Sequence, residues 1–488
     1  MIRPAVSLCF LLMSACTVGP DYKSPAVPVP KQWSEATSGN HKGLPLPARP
    51  DQWWQTFHDP ILDQLITDAI AANLDLKQAL ARVKDTRAQR WATIAAGLPS
   101  ISGQNNVSRR YNNTTSPSAG GAPSTGGGFG IGNQLINMFQ LGLGAQWELD
   151  FFGGERRAIE AANATVDNEI ENSRNVLIIL LGDVASHYIE LRANQQLIAI
   201  TRENLYSQQE TVRLTQIRQQ AGFTSTLEVA QAQSLAATTE AFMPVYETLV
   251  KQSIHALGVL LGREPGALAL RLERPGAIPA VSAIAIPDLP SELLLRRPDI
   301  RHAERQLAVA NANVGVATAE LYPKVNLSAF LGLQNITIAD FTPVGKSWSA
   351  ASSLTLPIFN WGRINANIES KKTQFDLAFL SYQATVLNAF KEVEDALIAY
   401  SKEQQRHQSL AQAVAASQLA VQLADERYHK GLTMFIDVLQ TQQTLYQTQR
   451  DLVDSDVKLS SDLVALYKAL GGGWQTVAVV SDATQLPK

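Results

Sequence analysis

Beyond position 16 the chain has no cysteine, its 2 thiols being Cys9 and Cys16. That absence excludes a disulfide framework and any thiolate metal cluster in the body. Only 5 methionines are present, and the 7 histidines (His41, His58, His187, His255, His302, His407 and His429) are dispersed, none opening a His-Glu-x-x-His motif. Soft-metal capture and zinc hydrolysis are therefore not expected. Gly345-Lys346-Ser347 looks like the end of a phosphate-binding loop, but Asp340 stands where that loop needs its upstream glycine. Charge of one sign is lacking too: Lys+Arg 41 against Asp+Glu 44 leaves −3, and no basic surface for nucleic acid. After Cys16 no apolar run reaches the ~18 residues of a spanning helix, so any membrane span of the body has to be made of strands. The expectation is a protein that is not an enzyme and holds no metal and no cofactor.

What is present is repetition. Asp75, Ala79 and Leu98-Pro99 are answered at one common offset by Asp299, Ala303 and Tyr322-Pro323. Gly222, Glu228, Val229, Gln231, Leu261 and Gly262 are answered at another by Gly431, Asp437, Val438, Gln440, Leu470 and Gly471. Such self-similarity signals a duplicated structural unit. The repeats are placed at 59–289 and 290–473, after a signal peptide (1–15) and an extended N-terminal segment (16–58), and before a C-terminal tail (474–488). Seven prolines between residues 17 and 50 suit a segment draped over a body.

Each repeat pairs helix-type with strand-type sequence. From Phe139 to Phe151 every odd position is apolar and the gaps hold Gln140, Gly142, Gly144, Gln146, Glu148 and Asp150, which no helix face can match. Val325 to Leu333 and Trp348 to Ile358 alternate likewise, and Ile101 to Tyr111 does so weakly. These predict two hairpins, 100–151 and 323–359, enclosing polar loops at Asn112–Asn133 and Gln334–Ser347. Long helices are expected from Glu155 to Ala221 and from Asn365 to Lys430, each about 100 Å at 1.5 Å per residue. Gly222 and Gly431 end them as left-handed caps. Shorter helical tracts are expected at Asp59–Gly97, Thr224–Leu261, Ser291–Leu321 and Thr433–Leu470. Val184, Tyr188, Leu191 and Gln195, with Val393, Leu397 and Tyr400, mark their packing faces.

If the odd positions face lipid, Gln140, Gln146, Glu148 and Asp150 line a watery lumen. Phe139 to Phe151 spans about 40 Å, or roughly 30 Å of height at a ~40° tilt, the thickness of the hydrocarbon layer. Trp147, Trp348 and Trp361 are the expected interface aromatics. Four strands cannot close a barrel, because membrane barrels begin at about eight and an open edge in lipid costs several kcal/mol per unpaired group. Association is obligatory, and spacing alone leaves two, three or four chains open.

Met13-Ser14-Ala15-Cys16 resembles a bacterial lipobox, whose cysteine would carry a covalent lipid. This motif, Gly19-Pro20-Asp21-Tyr22, Leu295-Arg296-Arg297-Pro298-Asp299-Ile300-Arg301, the run from Arg427-Tyr428 through Gly431 to Asp437-Val438-Leu439 and Gln442, and Leu466-Tyr467-Lys468-Ala469-Leu470-Gly471-Gly472-Gly473-Trp474 resemble the lipoprotein branch of the TolC-type outer membrane efflux proteins. The resemblance covers essentially the whole mature chain. It implies a mainly α protein with a membrane β-barrel: a homotrimer whose long α-helical barrel is continuous with a 12-stranded transmembrane barrel, four strands per chain. It also implies an outer-membrane location with a large periplasmic portion, and as partners outer-membrane lipid, a periplasmic membrane-fusion adaptor and an inner-membrane RND-type pump. The function implied is the passive exit duct of a tripartite efflux system for small toxic compounds. A duct for type I polypeptide secretion and a coiled-coil lipoprotein without a pore are the alternatives.

The resemblance places Gly222, Thr224, Gly431 and Thr433 at the periplasmic tips where the adaptor docks, although ordinary helix termination also accounts for the glycines. It places Ile436, Asp437 and Gln440 at the pore constriction. Relatives often carry an acid where Gln440 stands, so no anionic ring is carried over to that position. Asp437 either charges the lumen or pairs with Arg427.

Overall fold

A computed structural model describes residues 17–34, 50–112, 134–279, 296–336 and 346–476. The lipobox and Cys16, both polar loop interiors and the tail past residue 476 lie outside the described residues. A 3-10 turn, Pro50–Phe57, precedes α1 (Pro60–Ala72), α2 (Leu74–Ala96), β1 (Ser100–Asn112) and β2 (Gln134–Leu149). Then follow α3 (Gly154–Gln220), α4 (Thr226–Glu240), α5 (Met243–Leu260) and the short α6 (Ala269–Leu272). The second half runs α7 (Pro298–Ala319), β3 (Lys324–Asn335), β4 (Lys346–Thr355), α8 (Arg363–His429) and α9 (Phe435–Ala469), and ends in a 3-10 turn, Trp474–Thr476. Two hairpins and two 67-residue helices are thus present where the alternation and the glycines put them. No described helix is long and apolar enough to cross a membrane.

Two tracts expected as single helices are each two. The Asp59–Gly97 tract breaks at Asn73, whose side chain accepts from Leu76 N (2.8 Å) and donates to Leu260 O (2.9 Å), so it both starts α2 and ties it to α5. The Thr224–Leu261 tract breaks at Ala241-Phe242, where Pro244 in the first turn of α5 lacks the N–H to continue α4. Hydrophobic period is blind to such breaks because the apolar stripe resumes on the same side.

Contacts divide the chain into two compact units, and neither is one of the sequence repeats: each takes segments from both halves. The first comprises residues 1–24, 85–166 and 306–379 and contains the sheet. Its strands are antiparallel in the order β1-β2-β3-β4, so among the described residues β1 and β4 have open edges. Below the sheet Phe152 stacks on Tyr322 at 4.7 Å. Buried Arg157 reads the Gly19-Pro20-Asp21 motif, donating to Val18 O (3.2 Å), Gly19 O (3.3 Å) and the Asp21 carboxylate (2.7 Å). Asn311 adds a bond to Pro20 O (2.9 Å). The extended N-terminal segment therefore has its polar backbone satisfied by side chains of α3 and α7.

The second unit comprises residues 25–84, 167–305 and 380–488. Its main core packs Trp53, Leu62, Leu65, Ile66, Leu181, Val184, Tyr188, Ile254, Leu257 and Leu463, with Trp53 stacked on Tyr467 at 5.4 Å. Val184, Tyr188, Leu191 and Gln195 are all buried, as are Val393 and Tyr400, so the spacing of three and four found the packing stripe. The Leu-Arg-Arg-Pro-Asp run has a structural role. Buried Arg297 grips Asp299 (2.6 Å), Glu392 (2.7 Å) and Ala469 O (2.9 Å), joining α7, α8 and the end of α9. Trp474 donates to Arg296 O (3.0 Å), and the guanidiniums of Arg174 and Arg301, both held by Glu171, lie 4.4 and 5.6 Å from its ring centre.

Candidate functional site: a two-faced sheet and two glycine turns

The register settles which side chains share a face. Leu141 pairs Leu333, Leu143 pairs Leu331, Ala145 pairs Ala329 and Trp147 pairs Leu327, while β4 continues the face through Trp348, Ala350 and Leu354. Among the described residues nothing covers it: Trp348 is 77 % exposed and Leu331 65 %. On the opposite face Gln140 stands between Asn106 and Gln334, Gln146 between Ser100 and Ser328, and Glu148 beside Asn326. One face is thus apolar and bare and the other polar, the pattern of a sheet whose outer side meets lipid and whose inner side meets water. Trp147 donates its indole N–H to Gly97 O (3.0 Å), fixing an aromatic at the strand's lower rim.

Three of the four lumen candidates sit on this polar face. Asp150 does not, because β2 ends at Leu149. Its carboxylate instead accepts from Arg156 N (3.0 Å) and Arg156 Nε (3.2 Å), turning the chain into α3. Alternation extends through Asp150 in sequence, but a carboxylate six residues before an arginine at a helix start is better used as a cap. Glu148 pairs with Lys324 at 3.5 Å. Burial, then Asp150 and Glu148, hold the Glu155 carboxyl above the ordinary carboxylate range.

In the second unit both helix turns have the same frame. Gly222 has φ +78° and Gly431 φ +71°, a region that L side chains enter only at cost. Phe223 N bonds Arg218 O (2.8 Å) and Leu432 N bonds Arg427 O (2.9 Å), with the shorter bonds Gly222 N to Gln219 O and Gly431 N to Tyr428 O inside them. Each is the two-bond cap of a left-handed C′ residue. Thr224 then donates to Glu228 and Thr433 to Asp437, each acid lying in the first turn of the next helix. Asp437 also accepts from Met434 N (3.2 Å), a local cap, and among the described residues it makes no bond to Arg427. Ile436 and Gln440 are exposed one turn apart, opposite buried Phe435, Val438 and Leu439.

Four residues outside the expected tip and constriction sets connect the turns. Tyr428 donates to Glu228 (3.2 Å), Arg218 lies over the Tyr428 ring at 4.7 Å, and Tyr428 packs on Phe435 at 5.3 Å. Burial and the nearby Glu228 carboxylate raise the Tyr428 phenol above its ordinary value, so it remains a donor at neutral pH. The available signal was a tyrosine one turn before the second glycine and an acid at matched positions after both. Among the described residues no cluster of three or more His, Cys, Asp or Glu could hold a metal.

A two-faced sheet with open edges, joined to very long helices and short capped turns, defines a class: channel proteins of the outer membrane. The profile of one family, outer membrane efflux protein, matches residues 65–263 and 289–472. Nodulation protein T of Rhizobium leguminosarum bv. viciae is 34% identical over 484 residues, covering 98% of this chain and 95% of that protein. The solvent efflux pump outer membrane protein SrpC of Pseudomonas putida is 32% identical over 477 residues, 95% and 97% of the two chains. The solved structure of the outer-membrane channel OprN superposes with a TM-score of 0.85 at 32% identity, covering 94% of this chain and 100% of that one. This chain belongs to the outer membrane efflux protein family.

Proposed function

We infer that this chain is the outer-membrane exit duct of a tripartite efflux system, conducting small toxic compounds passively to the cell exterior. The observation that carries this reading is the four-stranded sheet with one bare apolar face, one polar face and two unpaired edges. One copy would leave a row of backbone groups unsatisfied in hydrocarbon, so identical copies must meet edge to edge. Three copies give a 12-stranded barrel, in keeping with the channels this chain resembles, continuous with a helical cylinder built from α3, α8 and the shorter helices. In this reading the duct is passive, and an inner-membrane pump, reached through a periplasmic adaptor, supplies the energy. The SrpC relative is named as part of a solvent efflux pump, which supports small apolar cargo.

In this reading the turns at Gly222 and Gly431 meet the adaptor through small residues and exposed backbone. The link from Tyr428 to Glu228 holds them together at rest. Ile436 and Gln440 face the passage, and lipid on Cys16 anchors the N-terminal segment. Reconstitution of purified protein in planar bilayers tests the duct: ion conduction by a trimeric species is expected, and a monomeric, water-soluble protein after removal of its lipid would overturn it. Gene deletion followed by a toxicity screen across solvents, dyes, detergents and antibiotics names the cargo by the class that accumulates. Cys16→Ala is expected to abolish palmitate incorporation while leaving barrel insertion intact, because four strands bury far more apolar surface than one anchor.

A further inference from the structure

From Ser100 in β1 to Ser353 in β4 the polar face of the sheet is mostly Ser, Asn, Gln and Gly, with Glu148 and Arg110 among its charged members, and its one aromatic side chain among the described residues is Phe330. Every other position of β3 is exposed or half-buried, yet Phe330 is 8 % exposed. Among the described residues no second layer covers this face, and the burial comes from the sheet itself. Phe330 sits opposite Gly144, and Gly332 sits opposite Gly142. A Cβ placed on Gly142 would meet Leu331 O, Gly332 Cα and then Phe330 Cε2 at 2.8 Å, and one on Gly332 would meet Leu141 O, Gly142 Cα and then Phe330 Cζ at 2.8 Å, so these glycines admit both the neighbouring strand and the ring. The ring therefore lies flat over the paired glycines. A Cβ on Gly144 would run into the side chain of Gln104, which covers the neighbouring gap.

Three glycines from two strands leave a shallow recess, and one ring with one amide fills it. An aromatic over a cross-strand glycine restores packing that glycine lacks. Here the same contact controls how far the ring projects. A side chain on a strand ordinarily stands perpendicular to the sheet, into whatever space the face encloses. The missing Cβ atoms of Gly142 and Gly332 let the two strands approach and leave the room in which Phe330 lies down.

We propose that Phe330 sets the bore of the strand region: inlaid over Gly142 and Gly332, its ring is held flush with the lumen wall, so bulky cargo passes an aromatic collar it would otherwise meet end on. This rests on the reading that the polar face lines a lumen, with one such ring from each chain of the trimer. The closing experiment separates the two.

The parent for the test carries Tyr428→Phe, which loosens the turns so that the strand region contributes measurably to resistance. Single-channel conductance in planar bilayers and size exclusion by neutral polymers are read together. Phe330→Ala, which leaves the strand backbones untouched, is expected to raise conductance and enlarge the polymer cut-off. An unchanged conductance and cut-off in Phe330→Ala overturns the collar. A conducting parent that is indifferent to Phe330 removes only the collar, whereas a parent that conducts nothing removes the channel reading with it.

Discussion

The turns at Gly222 and Gly431 descend from one sequence pattern and share one backbone frame, yet their acids do different things. Asp437 is satisfied within its own turn, by Thr433 and Met434 N. Glu228 takes Thr224 locally and Tyr428 from the other helix pair. Lengthening the side chain by one methylene lets an acid at the same helical position reach beyond its own cap. The second turn is therefore self-contained, and the first is where the two helix pairs are tied. The two caps share one frame, and one of them is also a link.

Breaking the link should have the largest effect. A hydrogen bond to a charged group contributes about 1.5–3 kcal/mol, so Tyr428→Phe or Glu228→Gln is expected to raise open probability in bilayers by roughly tenfold or more. The corresponding Asp437→Asn should leave open probability near the parent value, and equal effects from the two acids would erase the asymmetry. Next come the glycines. No atom lies within 4 Å of a Cβ added at Gly222 or Gly431, so Gly→Ala at either costs only the left-handed backbone penalty. About 1–2 kcal/mol at each is expected, equal within error in thermal unfolding of the detergent-solubilised protein. A clear inequality would mean that the frames are not equivalent.

A smaller effect, about 1 kcal/mol, is expected from Asp437→Asn on unfolding, as for loss of one helix cap. The smallest concerns pH. Burial holds the Asp462 carboxyl above its ordinary 3.8, against the opposing influence of Lys458. The folded state therefore binds this proton more tightly than the unfolded chain. Its favourable contribution is complete below the ordinary value and is lost as pH rises through the folded value. Asp462→Asn should flatten the pH dependence of the unfolding midpoint above pH ~4, and an unaltered slope would refute the assignment. Asp462 belongs to α9 far along the chain from both turns, so open probability should not respond, which sharpens the contrast with Glu228.

Much of this was legible in one dimension. Strict alternation from Phe139 to Leu149 cannot satisfy a helix, and a glycine closing a 67-residue apolar stripe has few other uses. Helix breaks at Asn73 and Ala241 were not legible, because a stripe that resumes in phase hides them. Nor was the end of β2, where Asp150 keeps the alternation but serves as a cap for α3. The Arg-Arg-Pro-Asp and Gly-Gly-Gly-Trp runs were visible as motifs and opaque as mechanism. Their reason is that Arg297, Trp474, Glu171 and Glu392 converge from segments far apart in the chain.

Sequence alone determined the element types, the two faces of the strands and the glycines at the turns, since each follows from local period or from a backbone conformation that one residue type tolerates. Only tertiary structure decided which strands are neighbours, that Phe330 lies down on Gly142 and Gly332, and that Glu228 and not Asp437 reaches across to Tyr428. Those contacts depend on register and on the few ångströms of reach between elements, and no periodicity along the chain encodes either.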